Sequence, residues 1–304
     1  MSTIVNPLNE FQQKRAPAQY PKRSFYWSLR RELWEFRSIY LAPLIVASLV
    51  LISFLVSMAH MARQMRNAAI LSPAQVDEFI QRPYGDAAMF LMGISFIVAI
   101  LYCLEALHAE RRDRSILFWK SLPLSDFTTV CAKMSIPVIV IPLIVVVLTI
   151  LTNLIMLLLN SAVLVASGYG LEVLREHLPL GQMWSMMTYH MFVIHGLWLA
   201  PVYGWLLLAS SWSRRLAFWA ALPMIIIGMA EKIVFESAHF LNWLKYHFNA
   251  PASGAYPGSS SALNEWMHLH SSQVLLNPGL WTGLAFAAIC VLAAARVRRT
   301  RGPI

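Results

Sequence analysis

Six apolar stretches, each long enough to cross a lipid bilayer, alternate with polar and charged segments along this chain. The stretch at 39–59 carries no charge and would extend about 31 Å as a helix, which matches the hydrocarbon core of a membrane. The pattern predicts an all-α polytopic membrane protein with six transmembrane helices. We place the spans at about 39–61, 87–108, 134–159, 183–209, 216–238 and 279–295, within a transmembrane domain over 39–295.

The residues before the first span divide into two parts. Residues 1–23 are polar and contain three prolines, which predicts a disordered tail. Between 24 and 38, apolar and aromatic residues recur at three- and four-residue steps among Arg and Glu, as on one face of a helix. A basic amphipathic helix of this kind is typical of the membrane interface. The alternative is a soluble helix packed on another domain.

Composition agrees with a membrane protein and gives its orientation. Hydrophobic residues make up 58% of the 304 residues and charged residues only 13%, about half the charged share of soluble domains. The net charge of +9 would suggest nucleic acid in a soluble protein. Here, 18 of the 24 Lys and Arg residues fall on one predicted side: the N-terminal segment, the 109–133 region, the 210–215 turn and the tail at 296–304. The positive-inside rule makes that side cytoplasmic, with both termini, and we predict no nucleic-acid partner.

The most charged segment is the loop at 109–128, between the second and third predicted spans. A run of charged residues is followed directly by apolar ones, which suits docking into a groove of a soluble partner, with charges steering and an aromatic side chain anchoring. The alternative is an ordinary basic inner loop at the lipid headgroups. The residues we assign to docking are Glu110, Arg111, Arg112, Asp113, Arg114, Ile116, Leu117, Leu122, Pro123 and Ser125.

Residues 110–133 resemble the first cytoplasmic loop of type-2 ABC transporter permeases, the exporter class. That family has an acidic and basic cluster after its second span, an apolar turn, a Leu-Pro-[Leu/Val]-Ser motif, and a Lys that opens the third span. The corresponding residues here are Glu110 with Arg111, Ile116-Leu117, the motif ending at Ser125, and Lys133. The amphipathic segment would be the family's elbow helix. Where the family often has Gly-Thr, this chain has Arg114-Ser115.

The resemblance implies a permease subunit of an ATP-binding cassette exporter in the bacterial cell inner membrane. Two separate ATPase subunits would bind ATP and Mg and dock on the 110–126 loop, so this chain would need no cofactor of its own. A second permease half, identical or not, would complete the transporter in the lipid bilayer. The cargo would be lipophilic or amphipathic, because the spans carry no clustered charges. Alternatives are an accessory or regulatory membrane subunit without transport of its own, or a membrane-embedded enzyme.

Motifs for catalysis are missing from the sequence, which has no GxxxxGK[ST], HExxH or GxSxG. Ionisable residues inside spans are nevertheless functional candidates. The candidate gate or substrate pathway comprises Glu231, Lys232, Glu236, His190 and His195. The structural alternatives are a paired helix end, with Lys232 bonded to Glu236, and histidines that each hydrogen-bond to a neighbouring helix. His268 and His270 in the last outer loop complete no recognised metal-ligand spacing.

Overall fold

The computed structural model of this protein describes residues 21–65, 73–113, 115, 125–166, 172, 174, 178–212, 226–233, 239–248 and 271–300. These residues form helices and the turns between them, and no strand occurs among them. The eleven α-helices with assigned bounds are α1 (Pro21–Glu35), α2 (Ser38–Met65), α3 (Pro73–Glu105), α4 (His108–Arg112), α5 (Asp126–Ser135), α6 (Ile141–Ala166), α7 (Leu180–Tyr189), α8 (Ala200–Trp212), α9 (His239–Phe248), α10 (Ser271–Leu276) and α11 (Pro278–Thr300).

Four helical segments in the described part are long and apolar enough to cross a membrane. They are Ser38–Met58, Ile80–Arg112, Asp126–Ala166 and Pro278–Thr300. A fifth is present if Leu180–Trp198 and Ala200–Trp212, bent by 47° at their junction, form one span. The predicted span at 216–238 falls mostly outside the described residues, where only the helical piece 226–233 is seen.

Two helices begin before the predicted start of their spans. Helix α3 is continuous from Pro73 to Glu105, whereas the second span was placed at 87–108. The helical segment that contains the third predicted span begins at Asp126, because Ser125 caps it: its side chain accepts a hydrogen bond from the backbone N–H of Thr128. The charge of Lys133 had suggested a later start, but this side chain is fully buried inside the chain.

Wide π-helical turns interrupt the third and fourth helical segments, at Ile136–Val140 and His190–Trp198. The first of these turns contains Pro137, which lacks the N–H that an α-helix needs. The two wide turns lie against each other. A β-carbon added at Gly196 would come within 2.7 Å of the Val138 carbonyl oxygen, so this backbone contact requires glycine.

The largest core joins α2, α3, α6 and α8 with both wide turns, and contains Ile39, Leu91, Tyr102, Ile141, Met191 and Tyr203. Many large apolar side chains face outward instead. On α2, Leu44, Ile45, Leu49 and Ile52 are each about half exposed or more. Soluble monomers rarely present apolar faces of this extent. The described helices therefore belong to a membrane-embedded protein.

Candidate functional site

Six charged side chains meet at one end of the bundle, which we call the loop end because the 109–128 loop starts and returns there. We call them the ion cluster: Arg31, Glu32, Glu110, Asp126, Lys133 and Arg298. They come from α1, α4, α5 and α11. The six comprise three positive and three negative groups, and Glu35 adjoins them, with its Oε2 3.6 Å from Arg31 Nε.

The pair between Glu32 and Lys133 is the most deeply buried. The Lys133 Nζ donates to Glu32 Oε1 at 2.8 Å and to Oε2 at 3.0 Å, with side chains 0% and 1% exposed. Tyr102 of α3 donates its hydroxyl to Glu32 Oε2 at 2.9 Å. The Glu32 carboxylate thus ties α1 to both α5 and α3.

The Glu110 carboxylate is paired with three cationic side chains, which come from three different helices. Its Oε1 lies 2.6 Å from Arg31 Nη2 and 3.2 Å from Lys133 Nζ, and its Oε2 lies 2.8 Å from Arg298 Nη2. Arg298 in turn donates from Nη1 to Asp126 Oδ1 at 2.7 Å. Helix α11 therefore connects Glu110, near the start of the loop, to Asp126, the first residue of α5.

The cluster is stable only if the attraction between its opposite charges outweighs the cost of removing them from water. Burying an isolated charge costs several kcal/mol, and the cost is recovered only with close partners of opposite sign. Burial alone would lower the pKa of Arg31, but the carboxylates of Glu32 and Glu110 outweigh it and raise the pKa. Each charged side chain of the cluster has a close partner of opposite sign, so the cluster can serve as a rigid joint between helices.

Two of the predicted docking residues are not on the surface, which corrects our expectation of an exposed ridge. Glu110 is 1% exposed and Arg111 is 6% exposed. Arg111 donates from Nη1 to the Ser211 carbonyl oxygen at 2.9 Å, at the end of α8. Both side chains hold this chain's own helices together. Residues 108–111 of α4 are all buried and Arg112 and Asp113 are exposed, so neighbouring charges have different surroundings.

Of the eight other predicted docking residues, the structure describes three. Arg112 and Asp113 are exposed, with side chains 54% and 59% accessible, and they pair with each other at 3.2 Å. Ser125 caps α5 and has a structural role. Arg114, Ile116, Leu117, Leu122 and Pro123 lie outside the described residues, so their predicted contact stays a prediction.

The histidines of the fourth helical segment are both buried. His195 Nε2 lies 3.1 Å from the Ser95 hydroxyl of α3, and its Nδ1 lies 3.3 Å from the Tyr203 hydroxyl of α8. The interhelical hydrogen bonding expected for His195 is present. His190 Nδ1 bonds at 3.0 Å to the Met186 carbonyl oxygen of its own helical segment.

The other gate candidates are only partly described. Glu231 is half-buried and Lys232 is exposed on the helical piece 226–233. Glu236 lies outside the described residues, as do His268 and His270, so the Lys232–Glu236 pair stays a prediction. Within the described part of the chain, no three His, Cys, Asp or Glu side chains are grouped to hold a metal ion.

Sequence reasoning missed five residues of this site: Arg31, Glu32, Tyr102, Asp126 and Arg298. It had placed Glu32 on the polar face of an interfacial helix and Arg298 in a basic tail. The sequence did hold a signal for Glu32, which is one of two acidic residues in the basic segment between residues 14 and 37. Lys133 was noted, but only as a family feature. The residues that pair are about 70 to 190 positions apart, and single-sequence periodicity carries no such pairing.

Comparison of the chain with protein-family models, with curated proteins and with solved structures gives no match. Its function must therefore be argued from its own residues.

Proposed function

We propose that this chain is the membrane-spanning permease subunit of an ATP-binding cassette exporter. The observation that carries the proposal is the placement of the ion cluster at both ends of the loop. Glu110 lies at the start of the 109–128 loop, Asp126 lies near its end and Lys133 follows it, and all three are paired with residues of α1 or α11. A loop fixed in this way is suited to transmit the movement of a docked partner protein to the helices of the bundle.

The physical reason for the proposed coupling is that the ion cluster makes a stiff joint between the helices. Moving Glu110 away from its partners would leave charges buried and unpaired, at a cost of several kcal/mol. A displacement of the loop is therefore followed by α1, α5 and α11 together rather than absorbed locally. In the proposed mechanism, ATP binding closes two separate ATPase subunits that dock on the 110–126 loop. The helices then change which side of the membrane a cargo pathway faces.

The wider architecture belongs to the same proposal. In this proposal the chain has six spans, and the charge distribution places both termini in the cytoplasm. A second permease half completes the pathway. Helix α1 would lie in the membrane interface as the elbow. Its Trp27 and Trp34 are 56% and 68% exposed, and the Arg30 guanidinium lies 5.3 and 4.8 Å from their ring centroids. Aromatic and basic side chains combined in this way favour the headgroup region.

The test is reconstitution of the full chain with a candidate P-loop ATPase, sought among the reading frames beside its gene, followed by measurement of ATP hydrolysis in proteoliposomes. The variant Arg112→Glu reverses an exposed charge at the start of the loop without touching the ion cluster. We expect it to lower cargo-stimulated hydrolysis at least tenfold while the melting temperature is unchanged.

A matched control is Arg82→Glu, which reverses another exposed arginine on the same helical segment, near the end opposite the loop. Arg82 pairs with Asp86 at 3.8 Å and is 71% exposed. This variant should keep full coupling. Equal hydrolysis in both variants, or failure of any P-loop subunit to form a complex with the chain, would refute the proposed role of the loop.

A further inference from the structure

A narrow pocket lies between α3, α6 and α7, toward the end of the bundle opposite the loop end. Its cavity volume is about 80 Å³, within about 730 Å³ of empty space that includes the solvent at its mouth. Tyr84 lines it, whereas Tyr102 on the same helix reaches the ion cluster. These residues are 18 positions apart, or about 27 Å along the helix.

The wall of the pocket is apolar, with almost all of its lining surface contributed by carbon and sulfur. Five methionines supply much of it: Met89, Met92, Met183, Met186 and Met187. Methionine is flexible and polarizable, so such a wall adapts to a slender apolar chain. No Asp, Glu, Lys or Arg belongs to the described lining, so no Lys or Arg is there to pair with an anion. The lining also includes His190, whose Nδ1 is bonded to the Met186 carbonyl oxygen.

Three polar atoms within this wall have no hydrogen-bond partner among the described residues. They are the Thr149 Oγ1, the Asn153 Oδ1 and the Trp184 Nε1. Thr149 is 1% exposed and Asn153 is 2% exposed, and they lie four residues apart on one face of α6. Buried polar groups are satisfied in the great majority of cases, so three together at one pocket call for a ligand.

The chemistry of the three atoms indicates what would satisfy them. The Asn153 oxygen accepts a hydrogen bond, the Trp184 N–H donates one, and the Thr149 hydroxyl can do either. A ligand hydroxyl both donates and accepts, and an amide does the same with two atoms. A carboxylate or phosphate would fit less well, since it only accepts and brings a charge without a counter-ion.

We propose that this pocket binds an uncharged amphiphile, with an alkyl chain against the methionines and a hydroxyl or amide group at Thr149, Asn153 and Trp184. Binding follows from the pocket itself. That the bound molecule represents the exporter's cargo rests on the proposed function. The cargo class would then be neutral lipid-like molecules rather than ionic ones.

The test uses the purified full chain in micelles and 1-myristoylglycerol carrying a diazirine at the end of its acyl chain. After illumination, mass spectrometry locates the labelled peptides, and unlabelled 1-myristoylglycerol is used as competitor. We expect saturable labelling of α3 and α7 peptides that contain the pocket methionines. A myristic acid probe with the same diazirine should label them much less, because its carboxylate would lack a counter-ion.

The double variant Thr149→Val/Asn153→Leu removes the polar atoms with little change of volume. We expect affinity for the glycerol probe to fall about tenfold or more, as for the loss of one or two hydrogen bonds. The melting temperature should stay equal or rise, because unpartnered buried polar atoms disappear. A general structural defect would lower both quantities.

The matched control is Ser53→Ala/Ser57→Ala, which removes two hydroxyls from a second groove, between α2, α3 and α6. Its affinity should match the wild type. Labelling spread evenly over the exposed apolar faces, or equal affinity in the Thr149→Val/Asn153→Leu variant, would overturn the pocket proposal. Saturable pocket labelling without stimulation of an ATPase partner would leave the pocket in place and overturn its assignment as an exporter cargo site.

Discussion

Replacing Lys133 with methionine is a direct test of the ion cluster. Its Nζ lies 2.8 and 3.0 Å from the Glu32 oxygens and 3.2 Å from Glu110 Oε1. At an effective dielectric constant of about 20, a pair at this distance attracts by about 5 kcal/mol, before desolvation is subtracted. Measured losses on breaking a buried pair are about 3–5 kcal/mol, because a charge remains buried without its partner.

The magnitude follows from the charge balance of the cluster. Lys133→Met leaves three acids facing two bases. For a chain of this size, each kcal/mol corresponds to roughly 2 °C in melting temperature, so we expect a decrease of roughly 6–10 °C. Adding Glu32→Gln to Lys133→Met restores equal numbers of positive and negative groups. That second change should recover part of the loss instead of adding to it.

Buried thiols make the measurement possible. Cys103 and Cys290 are free and buried, so a thiol-reactive fluorescent dye reports their exposure as the protein is heated in detergent. The control is Lys245→Met on α9, where the lysine is exposed and a change within about 0.5 kcal/mol is expected. A decrease below 2 °C for Lys133→Met, or a further decrease on adding Glu32→Gln, would refute the electrostatic account of the cluster.

Three further substitutions test individual features by the same thermal assay. Gly196→Ala should destabilise by about 1–3 kcal/mol, because its β-carbon would meet a backbone oxygen at 2.7 Å, whereas Gly93→Ala, with nothing within 4 Å, should be neutral or stabilising. Ser125→Ala should cost about 1 kcal/mol through loss of the α5 cap, and Ser125→Asp should largely retain stability. Burial, followed by repulsion from Glu32, raises the pKa of Glu35. Its folded form therefore holds a proton more tightly than its unfolded form, and stability falls as pH rises from about 4.5 through the raised value. Melting curves at pH 4 and pH 7.5 should show Glu35→Gln gaining on the wild type at the higher pH; the reverse order would contradict this sign.

Hydropathy predicted the membrane-crossing helices well where charges were rare. The apolar run after Ser38 and the run ending near Arg296 both became long helices. The predicted third span began after Lys133, because Lys133 was treated as the end of the apolar run. Its burial depends on Glu32, about a hundred residues earlier, and no local pattern reveals such a partner.

The candidate sites were harder to predict for a related reason. Charge density drew attention to Glu110 and Arg111, but a charged residue can face outward or inward, and the direction depends on which helices pack beside it. Thr149 and Asn153 attracted no notice, since uncharged polar residues occur in ordinary spans. Only the packing of α3, α6 and α7 shows that these atoms lie unpartnered at a pocket.

The ion cluster also has a consequence for the order of synthesis. Its members at 31, 32, 110, 126 and 133 emerge long before Arg298 of the last helix. Until that helix is inserted, three carboxylates face two cations, and Glu110 and Asp126 share no arginine. Because an unbalanced buried charge is costly, we expect the loop end of the nascent bundle to close only after α11 has been inserted.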